Sequence, residues 1–178
     1  HEVGLRPYTG FFTMGEATAY PIDIPDSFQL SESQNARLDE YLANRFKGNF
    51  SMAGVQFWPE IQSLSPDFLD KAKHFKQIVP VFTNVIFDTS QGHANVVFPH
   101  MFAWLDTVLD EIKAHPEIFF IIRAHPDEER PGKESLETVS DWIKEKNVEE
   151  LPNVMFIPPN QYISSYELIA HAKFVMVY

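Results

Sequence analysis

The chain has 178 residues, which suits one domain of about 100–200 residues with an appendage. Apolar residues make up 44% and aromatic residues 14%, with 16 Phe, a composition that excludes a disordered chain. The net charge of −11, with no run of Lys or Arg longer than two, excludes the basic stripe that nucleic acid requires; the absence of Cys excludes disulfides, zinc–thiolate sites and thiol nucleophiles. Residues 1–30 carry Gly and Pro among aromatics and read as loops and short strands. Ser31 and Gln34 form a capping-box pattern. Leu38, Tyr41, Leu42 and Phe46 then fall on one helical face before Gly48. Ser65-Pro66 opens a short helix ending near His74.

From residue 77 the pattern alternates. Gln77–Phe82 reads as a strand and Thr83–Val97 as a polar loop. Pro99 suits a first helical position, ahead of Met101, Trp104, Leu105, Val108, Leu109 and Ile112 at helical spacing. His115-Pro116 ends that helix, and 118–123 is a strand. Ser135 is the expected cap of a helix carrying Leu136, Val139 and Ile143. Asn153–Ile157 is a strand, Pro158–Ile163 a loop, Ser164–Glu167 a capping box with Leu168 and Ile169 behind it, and Lys173–Tyr178 a last strand. The order βαβαβαβ predicts an α/β fold: a Rossmann-like, doubly wound parallel sheet with right-handed crossovers.

In such sheets ligands bind beyond the carboxyl ends of the strands. That edge collects Asn84, Asp88, Arg123, His125, Glu128 and the helix start at Ser164. A planar guanidinium beside an imidazole suits a phosphate, and a helix start adds N–H groups, so the spacing predicts a pocket for an anion. Each residue also has a plainer role. Asp88 and Asn84 fit turn positions. Glu128 fits a surface ion pair with Arg123 or Arg130, Glu167 a capping box and Tyr166 a packing aromatic. His93 reads as an exposed loop histidine, and His100, His115 and His171 lie at helix ends. Trp58 and Trp104 are expected in the core, and Trp142, on a polar helix, partly exposed. No His-Glu-x-x-His spacing, Gly-x-Gly-x-x-Gly, Walker loop or nucleophile elbow occurs, so no metal site is expected. No apolar stretch approaches the about 18 residues that span a bilayer, and no signal peptide is visible. A start at His1 and a stop at Tyr178 within an apolar run read as an internal piece of a larger protein.

Three segments taken in order are more specific: Phe82-Thr83-Asn84-Val85-Ile86-Phe87-Asp88, Ile122-Arg123-Ala124-His125-Pro126-Asp127-Glu128 and Ile163-Ser164-Ser165-Tyr166-Glu167-Leu168-Ile169, with Phe102-Ala103-Trp104-Leu105 between the first two. This set resembles the C-terminal half of the capsule-polysaccharide (surface carbohydrate) biosynthesis family, bacterial glycosyltransferases of the GT-B type. The resemblance spans 77–178 and, more loosely, 1–50; at position 87 the family often has Trp where this chain has Phe. It implies a Rossmann-like nucleotide-sugar-binding domain at 77–178, truncated at its C-terminus. Residues 1–76 would then be a linker and helical appendage at the end of a missing N-terminal domain. Arg123 and His125 would face the donor phosphates. Ser164, Ser165 and Tyr166 would hold the nucleotide, joined by Asn84 and Glu128. Asn84 and Asp88 would border the interdomain cleft, with His125 and Asp88 the candidate catalytic groups. The donor would be a substrate and no cofactor or metal would be needed. The partners implied are a nucleotide-sugar and a glycan acceptor, with no nucleic acid. The location implied is cytoplasmic, at the inner face of the membrane, with peripheral association through regions outside this chain or through partner proteins. Activity would belong to the whole protein rather than to this piece alone. A GT-B-like nucleotide-sugar 2-epimerase, a polyol-phosphate transferase and a non-catalytic nucleotide- or glycan-binding domain of a surface-glycan assembly complex are the alternatives.

Overall fold

A computed structural model describes residues 27–46, 62–87, 95–132 and 134–178. Among the described residues, five helices, α1 (Glu32–Phe46), α2 (Pro66–Ala72), α3 (Met101–Ala114), α4 (Val139–Glu145) and α5 (Ser165–Ala170), accompany four strands, β1 (Gln77–Phe82), β2 (Ile118–Arg123), β3 (Val154–Ile157) and β4 (Met176–Val177). The strands form one sheet in the order β3-β2-β1-β4, and every pairing is parallel. Parallel neighbours need crossovers, which α3, α4 and α5 supply in turn. The predicted Rossmann-like α/β architecture is the one observed.

Side chains alternate along each strand, so each face of the sheet draws every second residue. Val79, Val81, Phe120, Ile122 and Val154 turn to one face, under Met101, Leu105, Val108 and Ile112 of α3 and Val139, Trp142 and Ile143 of α4. Ile78, Phe119, Ile121 and Ile157 turn to the other, against Leu64, Phe68 of α2 and Leu168 of α5. Helices therefore cover both faces. α2, assigned by sequence to the appendage, packs on the sheet. Phe119 sits at the centre of this second core: its ring stacks on Phe75 at 4.9 Å, tilts against Phe68 at 5.8 Å and lies 5.0 Å beneath the Lys71 ammonium.

Most helix starts follow their caps. The Ser31 N–H donates to Gln34 Oε1 at 2.8 Å, and the Gln34 N–H returns to Ser31 Oγ at 3.3 Å. Leu38, Tyr41 and Leu42 on that helix remain exposed. Ser65 caps α2 through the Phe68 N–H at 3.2 Å. Two starts differ from expectation. Pro99 stands just outside α3, because the imidazole of His100 is the cap, its Nδ1 accepting the Ala103 N–H at 3.1 Å. α4 begins at Val139 rather than after Ser135: Thr138 Oγ1 accepts the Asp141 N–H at 3.1 Å, and Leu136 is left 97% exposed. Trp142 is buried, not partly exposed, because its indole N–H reaches Asp106 Oδ1 at 3.0 Å. The last strand is shorter than 173–178, although the Tyr178 N–H still meets the Phe82 carbonyl at 3.3 Å.

One buried side chain ties three elements. The Asn153 amide donates to the carbonyls of Ile112, His115 and Ile118 at 3.0, 3.1 and 3.2 Å, closing the end of α3 onto the start of β2 from the threshold of β3. Replacing Asn153 by Ala strips those carbonyls of their donor where water has little access. Unfolding in urea is expected to show a loss of about 2 kcal/mol, and an unchanged midpoint would deny the tie any energetic role.

Candidate functional site at the carboxyl rim

Arg123 is the last residue of β2 and shares the parity of Phe119 and Ile121. Alternation therefore sends a guanidinium to the second face, at the end of the sheet where α5 begins. Its Nε donates to Ser165 Oγ at 2.9 Å. The residue is only 8% exposed, and burial pulls its pKa below the ordinary arginine value, although a guanidinium stays charged at neutral pH. Nη1 is buried with no hydrogen-bond partner among the described residues. Such a donor is costly unless something accepts from it, and an anionic ligand oxygen is the acceptor this geometry suits.

The neighbouring strand ends at the same level, Phe82 pairing with Arg123 and Arg123 with Ile157. Beyond β1, the N–H and Oγ1 of Thr83 both donate to the Arg123 carbonyl at 3.2 Å. Asn84 follows and shapes the turn, its Oδ1 accepting the Val85 N–H at 2.8 Å. β1 lies between β2 and β4, so the connection from β3 to β4 must cross it. The strand order reverses there, at the position where open α/β sheets carry ligands.

Past Arg123, His125 caps a 3₁₀ turn (Pro126–Glu129). Its Nδ1 accepts the Asp127 N–H at 3.1 Å, which leaves the proton of the neutral ring on Nε2. Glu128 departs from the expected surface ion pair. It is 1% exposed, and both its carboxylate oxygens take the Val139 N–H, at 3.2 and 3.3 Å. Arg130 pairs instead with Asp127 at 3.7 Å.

The start of α5 holds a connection that sequence reasoning missed. Ser164 is the cap, accepting the Glu167 N–H at 3.2 Å. The Glu167 carboxylate does not complete a capping box; it accepts from Ser63 Oγ at 3.0 Å and the Leu64 N–H at 2.8 Å. The Ser164 N–H is likewise engaged, by the Gln62 carbonyl at 3.0 Å. A strap at 62–64 thus clamps the turn that carries Ser165, and the amides of Ser164 and Glu167 are used internally rather than offered to an anion. Tyr166 is half-buried in the same turn. The structure brings together Arg123 and Ser165, with Thr83 and Asn84 alongside. Asp88 and His93, like Trp58 and the loops before residue 27, lie outside the described residues. Exposed Phe87, Val96, Val97 and Leu136 lie on the loops at the strand ends and helix starts of this rim.

No family model, curated protein or solved structure matches the chain. The site therefore stands on its geometry. Among the described residues no cluster of three or more His, Asp or Glu is arranged to hold a metal ion, and no helix is long and apolar enough to cross a membrane.

Proposed function

We propose that this chain is the nucleotide-sugar-binding half of a GT-B-type glycosyltransferase of bacterial surface polysaccharide synthesis, working at the cytoplasmic side of the membrane. The observation that supports this best is the buried Arg123 guanidinium, fixed by Ser165, with Nη1 unsatisfied at the carboxyl rim beside the point where strand order reverses. Glycosyl transfer breaks the bond between the anomeric carbon and a phosphate oxygen. The acceptor hydroxyl forms the new bond and gives its proton to a base. Charge grows on the departing phosphate, and a preorganised cation stabilises it without needing to reorient. Arg123 supplies that cation, and the Nε2–H of His125 adds a donor two residues on. A ring protonated at Nε2 does not serve as a base there, so Asp88 is the proposed base. Ser164, Ser165, Tyr166 and Asn84 line the nucleotide side of this reading, and the glycan acceptor approaches from the opposite side of the cleft.

Thermal melting with CMP, UDP and GDP tests the reading. A nucleotide at about one hundred times its dissociation constant stabilises by about 2.7 kcal/mol, a readily measured rise in Tm. One of the three is expected to raise the melting temperature of the chain and to leave the Arg123→Met variant unmoved, Met retaining most of the buried volume. Stabilisation by long-chain glycan and by none of the nucleotides would remove the donor site. An equal shift in the variant would remove Arg123 from it.

A further inference from the structure

The buried Glu128 is not used by the proposed chemistry, and its surroundings are those of a titrating switch. Both carboxylate oxygens share one donor, the Val139 N–H, while its own backbone carbonyl accepts the Ser135 N–H at 2.9 Å. No cation pairs with it among the described residues. Among the described residues, the charged groups that act on it are Glu129 on its own turn and Asp141 on α4, both negative. Arg130 is paired with Asp127, and Arg123, on β2, donates to Ser165. Ser135 Oγ, in the same junction, is buried without a partner among the described residues.

We propose that Glu128 is a proton-operated latch: neutral, it ties the 126–129 turn to the first residue of α4, and ionised, it releases that tie. An isolated buried carboxylate is costly, whereas a neutral carboxyl can accept from Val139 and still donate its own proton. Burial pushes its pKa up to about 7 against the lowering effect of the Val139 N–H, and Glu129 and Asp141 add to the rise. Any opening that wets Glu128 returns it to the ordinary glutamate range, so opening takes hold as pH climbs between the two values. The latch closes the turn that His125 caps, directly after Arg123, and so adjusts the rim. That consequence for ligand binding rests on the donor-site reading; the latch itself does not.

Nuclear magnetic resonance on the 178-residue chain tests it. The side-chain carboxyl carbon of Glu128 is expected to titrate near neutrality; a midpoint in the ordinary glutamate range overturns the proposal even if no variant folds. Amide protection at Val139, corrected for intrinsic exchange, is expected to fall about tenfold per pH unit from about pH 5 to about pH 7 and then level off, and to stay flat in Glu128→Gln. A flat wild-type profile, or the same fall in the variant, overturns it. So does a Val139 amide that follows Ile121 of β2 at every pH, because the opening would then be global unfolding. Affinity for CMP, UDP and GDP measured on the same samples separates the two ideas. A chain with the expected Val139 profile that binds none of them keeps the latch and loses the donor site.

Discussion

Replacing Phe119 by Ala is expected to lower the unfolding free energy by about 4 kcal/mol. The ring is fully buried, stacked on Phe75, tilted on Phe68 and capped by Lys71, whose ammonium also donates to the Val154 carbonyl at 3.2 Å. Truncation leaves a cavity among groups that belong to α2, the turn after it, β2 and the start of β3, none of which moves without disturbing the others. Lost transfer energy and the cavity act together, and a domain of this size has only about 5–15 kcal/mol in all. Phe119→Leu, which refills most of the space, is expected to lose about half as much. Urea unfolding at fixed pH measures both. A loss under about 1 kcal/mol for the Ala variant would mean that the second core collapses freely and that α2 does not brace the sheet.

The second large effect is on pH dependence. Glu128 keeps its proton in the folded chain up to about pH 7, whereas in the unfolded chain it releases it near the ordinary glutamate value of 4.5. Below the lower value both states hold the proton and the neutral buried carboxyl is fully favourable. Between the two values the unfolded state binds fewer protons, so unfolding free energy falls as pH rises; above the upper value the fall stops. The shift amounts to about 3 kcal/mol across that window. Other carboxylates titrate too, so the measurement is the difference in unfolding free energy between wild type and Glu128→Gln, followed from about pH 4.5 to about pH 7.5. The wild type is expected to lose its advantage progressively over that range. A difference that stays constant would place the Glu128 pKa in the ordinary range.

Local rules carried much of the fold. Short, nearly continuous apolar runs located three of the strands within a residue, and Ser31, Ser65 and Ser164 cap the helices they were expected to cap. The departures have a common physical origin in partners far away in sequence. Nothing near Ser135 reveals that α4 waits for Val139, because Glu128 and Thr138 decide that start. Glu128 sits in the run Asp127-Glu128-Glu129 and reads as solvated until the fold is closed around it. Trp142 has polar sequence neighbours, but the acceptor that permits its burial is Asp106 on another helix. Residue 76 looked like a boundary because the βα rhythm begins at 77, yet Leu64 and Phe68 complete a face of the sheet. At the rim, the sequence indicated Arg123 and the Ser164–Tyr166 turn. It gave no sign of the 62–64 strap, because Glu167 fits a capping box equally well.

The strand order also constrains when this molecule can mature. β1 is flanked by β2 on one side and by β4 on the other, with Val81 opposite Met176. On a ribosome the β1 edge that will receive β4 stays bare from the appearance of Val81 until nearly the last residues of this chain emerge. An open edge of Ile78, Val79 and Val81 is a template for intermolecular pairing throughout that interval. Slow delivery of the 165–178 stretch therefore exposes the nascent chain to aggregation at β1.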